Sequence, residues 1–189
     1  MSDSTPSVSA SLLGIEAELR ATLQAVAEAD LDPFAAALAG ADRVFVHGAG
    51  RSGLALRMTA MRLMHLGLTV HVVGEVTTPA ADQGDVLLTA SGSGTTSGIL
   101  RAAETAQSAG CTVLAITTAP DSPLARLSAE VLVVPAAAKL DRSGSVSTQY
   151  AGSLFEQAVV LIGDALFDHL WRRSGLSADD LWPRHANLE

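Results

Sequence analysis

The sequence of 189 residues contains one cysteine and few aromatic side chains. The single cysteine, Cys111, excludes a disulfide framework within the chain and a cysteine-based metal cluster. Aromatic residues make up 4% of the chain and hydrophobic residues 48%, so aliphatic side chains must build most of the core. This composition predicts a globular protein rather than a disordered one.

Basic residues are scarce as well, with 12 Lys and Arg against 20 Asp and Glu and a formal net charge of −8. No cluster of basic residues is visible, which argues against binding to nucleic acid. The chain has no apolar run of about 18 residues, and its polar start, MSDSTPSVSA, has no signal-peptide pattern. We therefore expect a cytoplasmic protein that does not span a membrane and binds any anion through local groups.

Strands alternate with helices along most of the chain. After residues 1–10, which we expect to be disordered, helical periodicity covers residues 11–40 and is broken at DLDP. Five short runs of Val, Leu and Ile follow, and continuous apolar runs are typical of strands buried on both faces. The pattern predicts one α/β domain over residues 11–189. Its features are a doubly wound, five-stranded parallel sheet of flavodoxin-like order, N-terminal helices, and a long C-terminal helix from Gln149.

The first glycine-rich loop, HGAGRSG, follows the first predicted strand. Its Gly48, Gly50 and Gly53 match the G-x-G-x-x-G pattern of dinucleotide-binding proteins, and an acidic residue, Glu75, follows about 20 residues later. However, only one long helix and a tail follow the fifth strand, which leaves no room for the second half of such a protein. We therefore favour a turn that binds another phosphate, and we interpret Glu75 as a solvent-facing loop residue.

A second loop, SGSGTTSG, follows the third predicted strand. Its hydroxyls, its flexible backbone and the helix N-terminus after it could hold a phosphate, although a Ser/Gly turn that merely caps a helix has the same composition. In a flavodoxin-like order the first and third strands are neighbours, so both loops would face one crevice. This arrangement favours an anion site formed by Ser91, Gly92, Ser93, Gly94, Thr95 and Thr96.

Several motifs resemble those of one known family. HGAGRSG, AMRLMHLG, VVGE, SGSGTTSG, AITTAPDSPLARL, GSLFEQA and RHANLE are similar to the 6-phospho-3-hexuloisomerase branch of the sugar isomerase (SIS) domain family, over residues 12–189. The resemblance implies interconversion of 3-hexulose 6-phosphate and fructose 6-phosphate through a cis-enediol, in the ribulose monophosphate pathway of formaldehyde fixation. It also implies a homotetramer without metal or cofactor, and hexulose-phosphate synthase as a pathway partner.

The same resemblance assigns substrate contacts to the first loop, at Gly50, Arg51 and Ser52. In the second loop it leaves Ser91, Ser93 and Thr96 in their usual places. The common SIS loop reads S-x-S-G-E-T, and Thr95 stands where that pattern has Glu. We therefore expect the loop to bind phosphate. Any contact that the Glu at this position makes in relatives would be absent.

The reaction needs a base that moves a proton between adjacent carbons, and Glu156 is our candidate. It lies among apolar residues near the start of the C-terminal helix, although a Glu in that position is also favoured simply by the helix dipole. A histidine is the natural second group. We rank His65 and His185 above His47 for this role, and expect His71 and His169 to be structural.

Two other functions stay open on the sequence alone. A non-catalytic phosphosugar sensor would use the same loops, although the chain shows no DNA-binding appendage. A nucleotide-binding module would account for the G-x-G-x-x-G pattern. Turnover of the hexulose phosphate separates the first alternative from an isomerase, and stabilisation by NAD rather than by sugar phosphates would identify the second.

Overall fold

Five parallel strands form the centre of the structure, a computed structural model that describes residues 6–188. In chain order they are β1 (Val44–Gly48), β2 (Val70–Val72), β3 (Val86–Ala90), β4 (Thr112–Thr117) and β5 (Glu130–Val133). They lie in the order β2-β1-β3-β4-β5, which confirms the predicted flavodoxin-like sheet. Because β1 and β3 are neighbours whose following helices leave on opposite faces, a crevice opens between their carboxyl ends.

Helices cover both faces of this sheet. One face carries α1 (Val8–Ala27), α2 (Asp32–Ala39), α3 (Gly50–Leu66) and α6 (Ser153–Ser174), and the other carries α4 (Ser97–Ser108) and α5 (Pro123–Leu127). The tail forms α7 (Ala178–Leu181) and a short 3₁₀ turn, Trp182–Arg184. Across residues 6–188, every helix is too short or too polar to cross a lipid bilayer.

The first helix and the long C-terminal helix begin at slightly different residues from those predicted. Residues 1–5 lie outside the described residues, but Val8 to Ala10, which we expected to be disordered, form the start of α1. The Ser7 side chain accepts a hydrogen bond from the Ala10 amide and so caps this helix. The C-terminal helix begins at Ser153 rather than at Gln149, because the chain first turns through Ala151, which has a φ of 52°.

The core consists of two apolar clusters separated by the sheet. Successive strand residues point to opposite faces, so Val44 and Val46 of β1 pack against α3 and α6 while Phe45 packs against α4. The three central strands, β1, β3 and β4, are therefore largely buried on both faces, which explains their continuous apolar sequences.

A partly buried ion pair joins the starts of β1 and β3. Arg43 donates to both carboxylate oxygens of Asp85, at 2.9 and 2.6 Å, and the Asp82 amide donates to the same carboxylate at 2.7 Å. The Asp85 side chain is 2% exposed and that of Arg43 is 29% exposed. Burial opposes ionisation of Asp85, but the bonds from Arg43 and Asp82 outweigh it and hold the pKa of the carboxyl below its ordinary value.

Removing the two partners should have unequal effects on stability. Arg43→Met leaves a buried carboxylate without its cation and should lower the free energy of unfolding by about 3 kcal/mol. Asp85→Asn leaves an arginine that can turn to water, so we expect a loss of about 1 kcal/mol. Urea denaturation of both variants measures these losses, and equal losses would contradict the prediction.

The pH dependence of stability provides a second check on the pair. Because the folded-state pKa of Asp85 is lower than its unfolded value, the ionised carboxylate contributes to stability above about pH 4, and this contribution is lost as the pH falls. The wild type should therefore lose more stability than Asp85→Asn between about pH 5 and pH 3.

Candidate active site

A cavity of about 720 Å³ lies at the carboxyl ends of β1 and β3. Both glycine-rich loops contribute to its walls, together with the start of α6 and parts of the preceding loop. It is lined by Ala49, Gly50, Arg51, Ser52, Ala90, Ser91, Gly92, Ser93, Thr95, Thr96, Ile99, Ala137, Lys139, Leu140, Tyr150, Ala151, Gly152, Ser153, Phe155 and Glu156. Most of the site residues predicted from the sequence therefore share one cavity.

The glycines of the first loop allow the backbone of β1 to touch that of α3. A Cβ atom on Gly53 would lie 2.3 Å from the carbonyl oxygen of Gly48, and one on Gly48 would lie 2.9 Å from Gly53. Gly50 opens α3 with a φ of +58°. The G-x-G-x-x-G pattern is thus explained by a close strand-to-helix turn, which brings Arg51 and Ser52 to the cavity.

The second loop is held from behind by the segment between β4 and α5. The Gly92 carbonyl oxygen accepts hydrogen bonds from the Thr117 hydroxyl and from the amide and hydroxyl of Thr118, at 2.9 to 3.1 Å. The Gly94 carbonyl oxygen accepts one from the Leu124 amide at 3.1 Å. These bonds turn two carbonyl groups of the loop toward the β4–α5 segment.

Gly94 has a supporting position rather than one in the cavity wall. We expected it to bind substrate, but it lies behind the loop with a φ of +59°, and a Cβ atom there would lie 2.1 Å from the Ser122 hydroxyl oxygen. Its lack of a side chain therefore permits the loop to pack against α5, and only its neighbours reach the cavity.

Four hydroxyl groups of the second loop reach the cavity and contact one another in pairs. The Ser91 and Thr96 oxygens lie 3.1 Å apart, and the Thr95 hydroxyl donates to that of Ser93 at 2.9 Å. Thr95, which stands where the common SIS loop has Glu, is thus part of the hydroxyl set. These groups can reorient to donate to an anion.

Three helices begin at the cavity, namely α3, α4 and α6. None of the three has a side-chain hydrogen bond that caps its N-terminus, and the first turns of α3 and α4 contain no acidic residue. Uncapped helix N-termini present free amides and partial positive charge. The cavity is therefore suited to a phosphate even though the chain as a whole is acidic.

Glu156 lies beside Arg51 at the cavity wall, as its predicted role requires. The Arg51 Nη1 atom is 3.2 Å from Glu156 Oε2 and donates to the Ser153 hydroxyl at 3.1 Å. Ser153 in turn donates to the Tyr150 carbonyl oxygen at 2.8 Å. The Glu156 side chain is 22% exposed, so it is shielded by its neighbours yet open to a ligand in the cavity.

Sequence reasoning missed the part of the site formed by the loop between β5 and α6. It recognised residues 136–147 as a polar loop, but did not assign Lys139, Leu140 or Tyr150 to the site. One available signal was that Lys139 is the only lysine in the sequence.

His65 and His185 lie together, away from the cavity of their own chain. Their rings stack with centroids 4.0 Å apart, and Arg184 donates to the His65 carbonyl oxygen at 3.2 Å. Burial lowers the pKa of His65, and the nearby positive charges of His185 and Arg62 lower it further. Since α3 rises about 1.5 Å per residue, Arg51 and His65 are about 21 Å apart.

His47, His71 and Glu75 also lie outside the cavity lining. His47 faces the α4 side of the sheet, where burial lowers its pKa. His71 packs against Phe45, with ring centroids 5.1 Å apart. Glu75 forms an ion pair with Arg57 at 2.6 Å, in agreement with its interpretation as a loop residue at the surface.

Comparisons with known proteins agree with this geometry. A family model described as the SIS domain matches residues 37–161. The chain is similar to the 3-hexulose-6-phosphate isomerase of Mycobacterium gastri, with 60% identity over 147 residues that cover 78% of this chain and 74% of that protein. It is also similar to the 3-hexulose-6-phosphate isomerase of Bacillus subtilis strain 168, with 36% identity over 173 residues that cover 91% and 94% of the two chains.

A solved structure from Methanococcus jannaschii, whose description infers a molecular function of 3-hexulose-6-phosphate isomerase, has the same fold. Its TM-score is 0.80 at 27% sequence identity, and the match covers 95% of this chain and 99% of that chain.

Substituting Gly94 should weaken anion binding, although Gly94 itself does not line the cavity. Gly94→Ala forces a side chain into a left-handed backbone conformation and against Ser122, so the loop must move. We expect the dissociation constant for fructose 6-phosphate, measured by calorimetry, to rise about tenfold or more, since strain of this kind costs about 1–2 kcal/mol. Gly175→Ala is the matched control, because Gly175 also has a positive φ but ends α6 with open space around it. Equal affinities in the two variants would contradict the assignment.

Proposed function

This chain belongs to the SIS domain family, and from that premise we propose that it interconverts 3-hexulose 6-phosphate and fructose 6-phosphate. The observation that carries the proposal is the position of Glu156, in one cavity with both anion-binding loops. The names of the relatives support this substrate pair, which belongs to the ribulose monophosphate pathway of formaldehyde fixation.

The reaction moves a carbonyl group from C3 to C2 without any net oxidation. A base removes the proton from C2, which carries a hydroxyl, and the electrons form a C2–C3 double bond while negative charge develops on the C3 oxygen. Transfer of the C2 hydroxyl proton to the C3 oxygen and return of a proton to C3 then yield fructose 6-phosphate. The site must therefore supply one base, one anion-stabilising group and a firm hold on the phosphate.

We assign the base to Glu156 and the stabilisation of the enediolate to Arg51. The two side chains form an ion pair at 3.2 Å, and a carboxylate held beside a cavity can reach a carbon atom of a bound sugar. When the substrate oxygens develop negative charge, the Arg51 guanidinium can donate to them instead of to Glu156. Arg51 would thereby leave the carboxylate free to accept the proton.

We assign the phosphate to the hydroxyls and amides of the second loop and to the α3 N-terminus. Ser91, Ser93, Thr95 and Thr96 supply hydroxyl donors, and Ser52 supplies another from the first loop. Lys139, which also lines the cavity, adds a side-chain cation. Phosphate binding through neutral donors and helix N-termini suits a chain whose net charge would otherwise repel the substrate.

His65 and His185 can take part in this chemistry only across a subunit contact. Within one chain they lie at the far end of α3, so we propose that they approach the cavity of a neighbouring subunit in a homotetramer. An exposed apolar stripe on α3 supports self-association, since such patches mark interaction surfaces. The stripe consists of Leu54, Met58, Met61 and Met64, with exposed fractions of 38% to 62%.

The proposal includes three further points. Residues 11–189 act as one domain, the enzyme works in the cytoplasm, and hexulose-phosphate synthase precedes it in the pathway.

Replacing the base should abolish turnover while binding persists. Glu156→Gln keeps the size of the side chain but cannot accept the proton, so we expect kcat to fall about 10³-fold. The assay couples the fructose 6-phosphate formed to phosphoglucose isomerase and glucose-6-phosphate dehydrogenase, and calorimetry measures fructose 6-phosphate affinity. Asp164→Asn, an exposed position on the same helix outside the cavity, serves as the control.

Two outcomes would contradict this assignment. Loss of affinity for fructose 6-phosphate in a folded Glu156→Gln variant would show that Glu156 has a structural or substrate-binding role instead of acting as the base. Tight binding of sugar phosphate without turnover by the wild type would identify a phosphosugar sensor instead of an enzyme.

The α3 stripe predicts a change of assembly on charge insertion. Met61→Glu should reduce the mass measured by light scattering to that of a dimer or monomer, because an unpaired carboxylate would have to be buried between subunits. Thr105→Glu on the polar outer face of α4 should leave the mass unchanged. An unchanged mass for Met61→Glu would place the subunit contact elsewhere.

A further inference from the structure

The segment between β5 and α6, residues 134–152, forms one wall of the cavity without any helix or strand of its own. A loop of this length is uncommon in a compact domain and is usually functional. Residues near both of its ends line the cavity, including Lys139 and Tyr150. Some contact outside the cavity must therefore keep this wall in place.

The carboxylate of Glu18 in α1 makes such a contact with three consecutive loop residues. It accepts hydrogen bonds from the Ser147 hydroxyl at 2.6 Å, from the Thr148 amide at 2.8 Å, from the Thr148 hydroxyl at 2.7 Å, and from the Gln149 side-chain amide at 3.0 Å. We call this group the Glu18 clamp. Ser147 is itself buried.

All four donors of the Glu18 clamp are neutral. Burial alone would raise the pKa of Glu18, but the bonds from Ser147, Thr148 and Gln149 outweigh it and lower the pKa from 4.5 to about 2. The carboxylate therefore stays ionised throughout the neutral range, and an ionised carboxylate holds neutral donors more strongly than an amide oxygen would.

The same face of α1 also holds the other end of the loop. The Thr22 hydroxyl, one helical turn after Glu18, donates to the Pro135 carbonyl oxygen at 3.3 Å. Residues four apart lie on one side of a helix. α1 therefore contacts the loop both just after β5 and just before α6.

The clamp connects to the reacting groups through a short chain of contacts. Directly after it, the Tyr150 carbonyl oxygen accepts from Ser153, whose hydroxyl accepts from Arg51, and Arg51 pairs with Glu156. Between clamp and helix lies Ala151, whose φ of 52° is a left-handed conformation that alanine keeps only when its surroundings hold it.

We propose that Glu18 is a positioning residue of the isomerase site, which holds residues 147–149 and thereby fixes the wall that orients Arg51 and Glu156. This inference rests on the proposed function for its catalytic consequence. It extends the site to α1, a helix that precedes the residues matched by the SIS domain.

The kinetic test compares Glu18→Gln with Glu16→Gln. Glu18→Gln removes the charge that holds the four donors, so kcat should fall on the order of tenfold while KM changes little, because the phosphate loops are untouched. Glu16 lies on the exposed side of α1 and pairs with Arg20, so Glu16→Gln should match the wild type.

A second variant loosens the clamp from the loop side. Ser147→Ala combined with Thr148→Val removes two of the four donors and leaves Glu18 free to take up water, so it should lower kcat in the same way. Adding Glu18→Gln to this variant should cause a smaller further loss than Glu18→Gln causes in the wild type, because two of the four hydrogen bonds are already absent.

Two readouts report on the loop without any turnover. Tyr150 is the only tyrosine in the chain, so 3-fluorotyrosine labelling gives a single fluorine resonance from the cavity wall. We expect that resonance to broaden or split in Glu18→Gln. Trypsin cleavage after the exposed Lys139 and Arg142 should accelerate about tenfold, since cleavage follows local opening.

The proposal is overturned if folded Glu18→Gln and the loop-side variant both keep the wild-type kcat, resonance and cleavage rate. It is also overturned if the loop loosens while kcat is unchanged, because Glu18 would then be structural only. Absence of turnover in the wild type contradicts the proposed function instead, and the resonance and cleavage rates still decide whether Glu18 holds the loop.

Discussion

The backbone contact between Gly48 and Gly53 is the constraint on which the whole site depends. It allows α3 to begin directly at the end of β1, since any side chain at Gly53 would overlap the Gly48 carbonyl group. Arg51 and Ser52 therefore lie at the crevice beside the end of β3, where the second loop begins. A longer connection would carry these side chains away from the sheet edge. The pattern that suggests a dinucleotide turn is thus a packing requirement shared by phosphate-binding α/β proteins.

A second close contact transmits this placement to α6. A Cβ atom on Gly163 would lie 2.0 Å from the Thr59 hydroxyl oxygen, so α3 and α6 pack tightly where these two residues meet. Because this contact positions the axes of α3 and α6 relative to each other, the first turn of α6 faces the first turn of α3, and Glu156 contacts Arg51. The ion pair at the cavity is therefore a consequence of helix packing as much as of charge. The Glu18 clamp completes the arrangement from α1, by holding the loop that leads into α6.

The groups that can stabilise an anion in this protein are concentrated at particular sites rather than spread over the whole surface. An acidic chain attracts a phosphate poorly at long range, but three helix N-termini without side-chain caps and a set of hydroxyls meet at one cavity, where they can donate to an anion. At Glu18 the anion is a side chain of the protein itself, and neutral donors keep this carboxylate ionised without a cation. Both sites use oriented dipoles, which cost little to keep in place once the backbone is folded.

The sequence by itself determined the strands, the two loops and, through the alternation of strands with helices, the parallel sheet, because apolar periodicity and turn composition are local properties. The candidacy of Glu156 came from the reaction that the family resemblance implies. Only the tertiary structure decided that Gly94 supports the loop from behind, that residues 134–152 form a wall, and that His65 and His185 stack far from their own cavity. These features depend on contacts between distant segments, such as Glu18 with residues 129 to 131 positions later in the chain. No local pattern records such a contact, since its geometry exists only after the sheet and helices have packed.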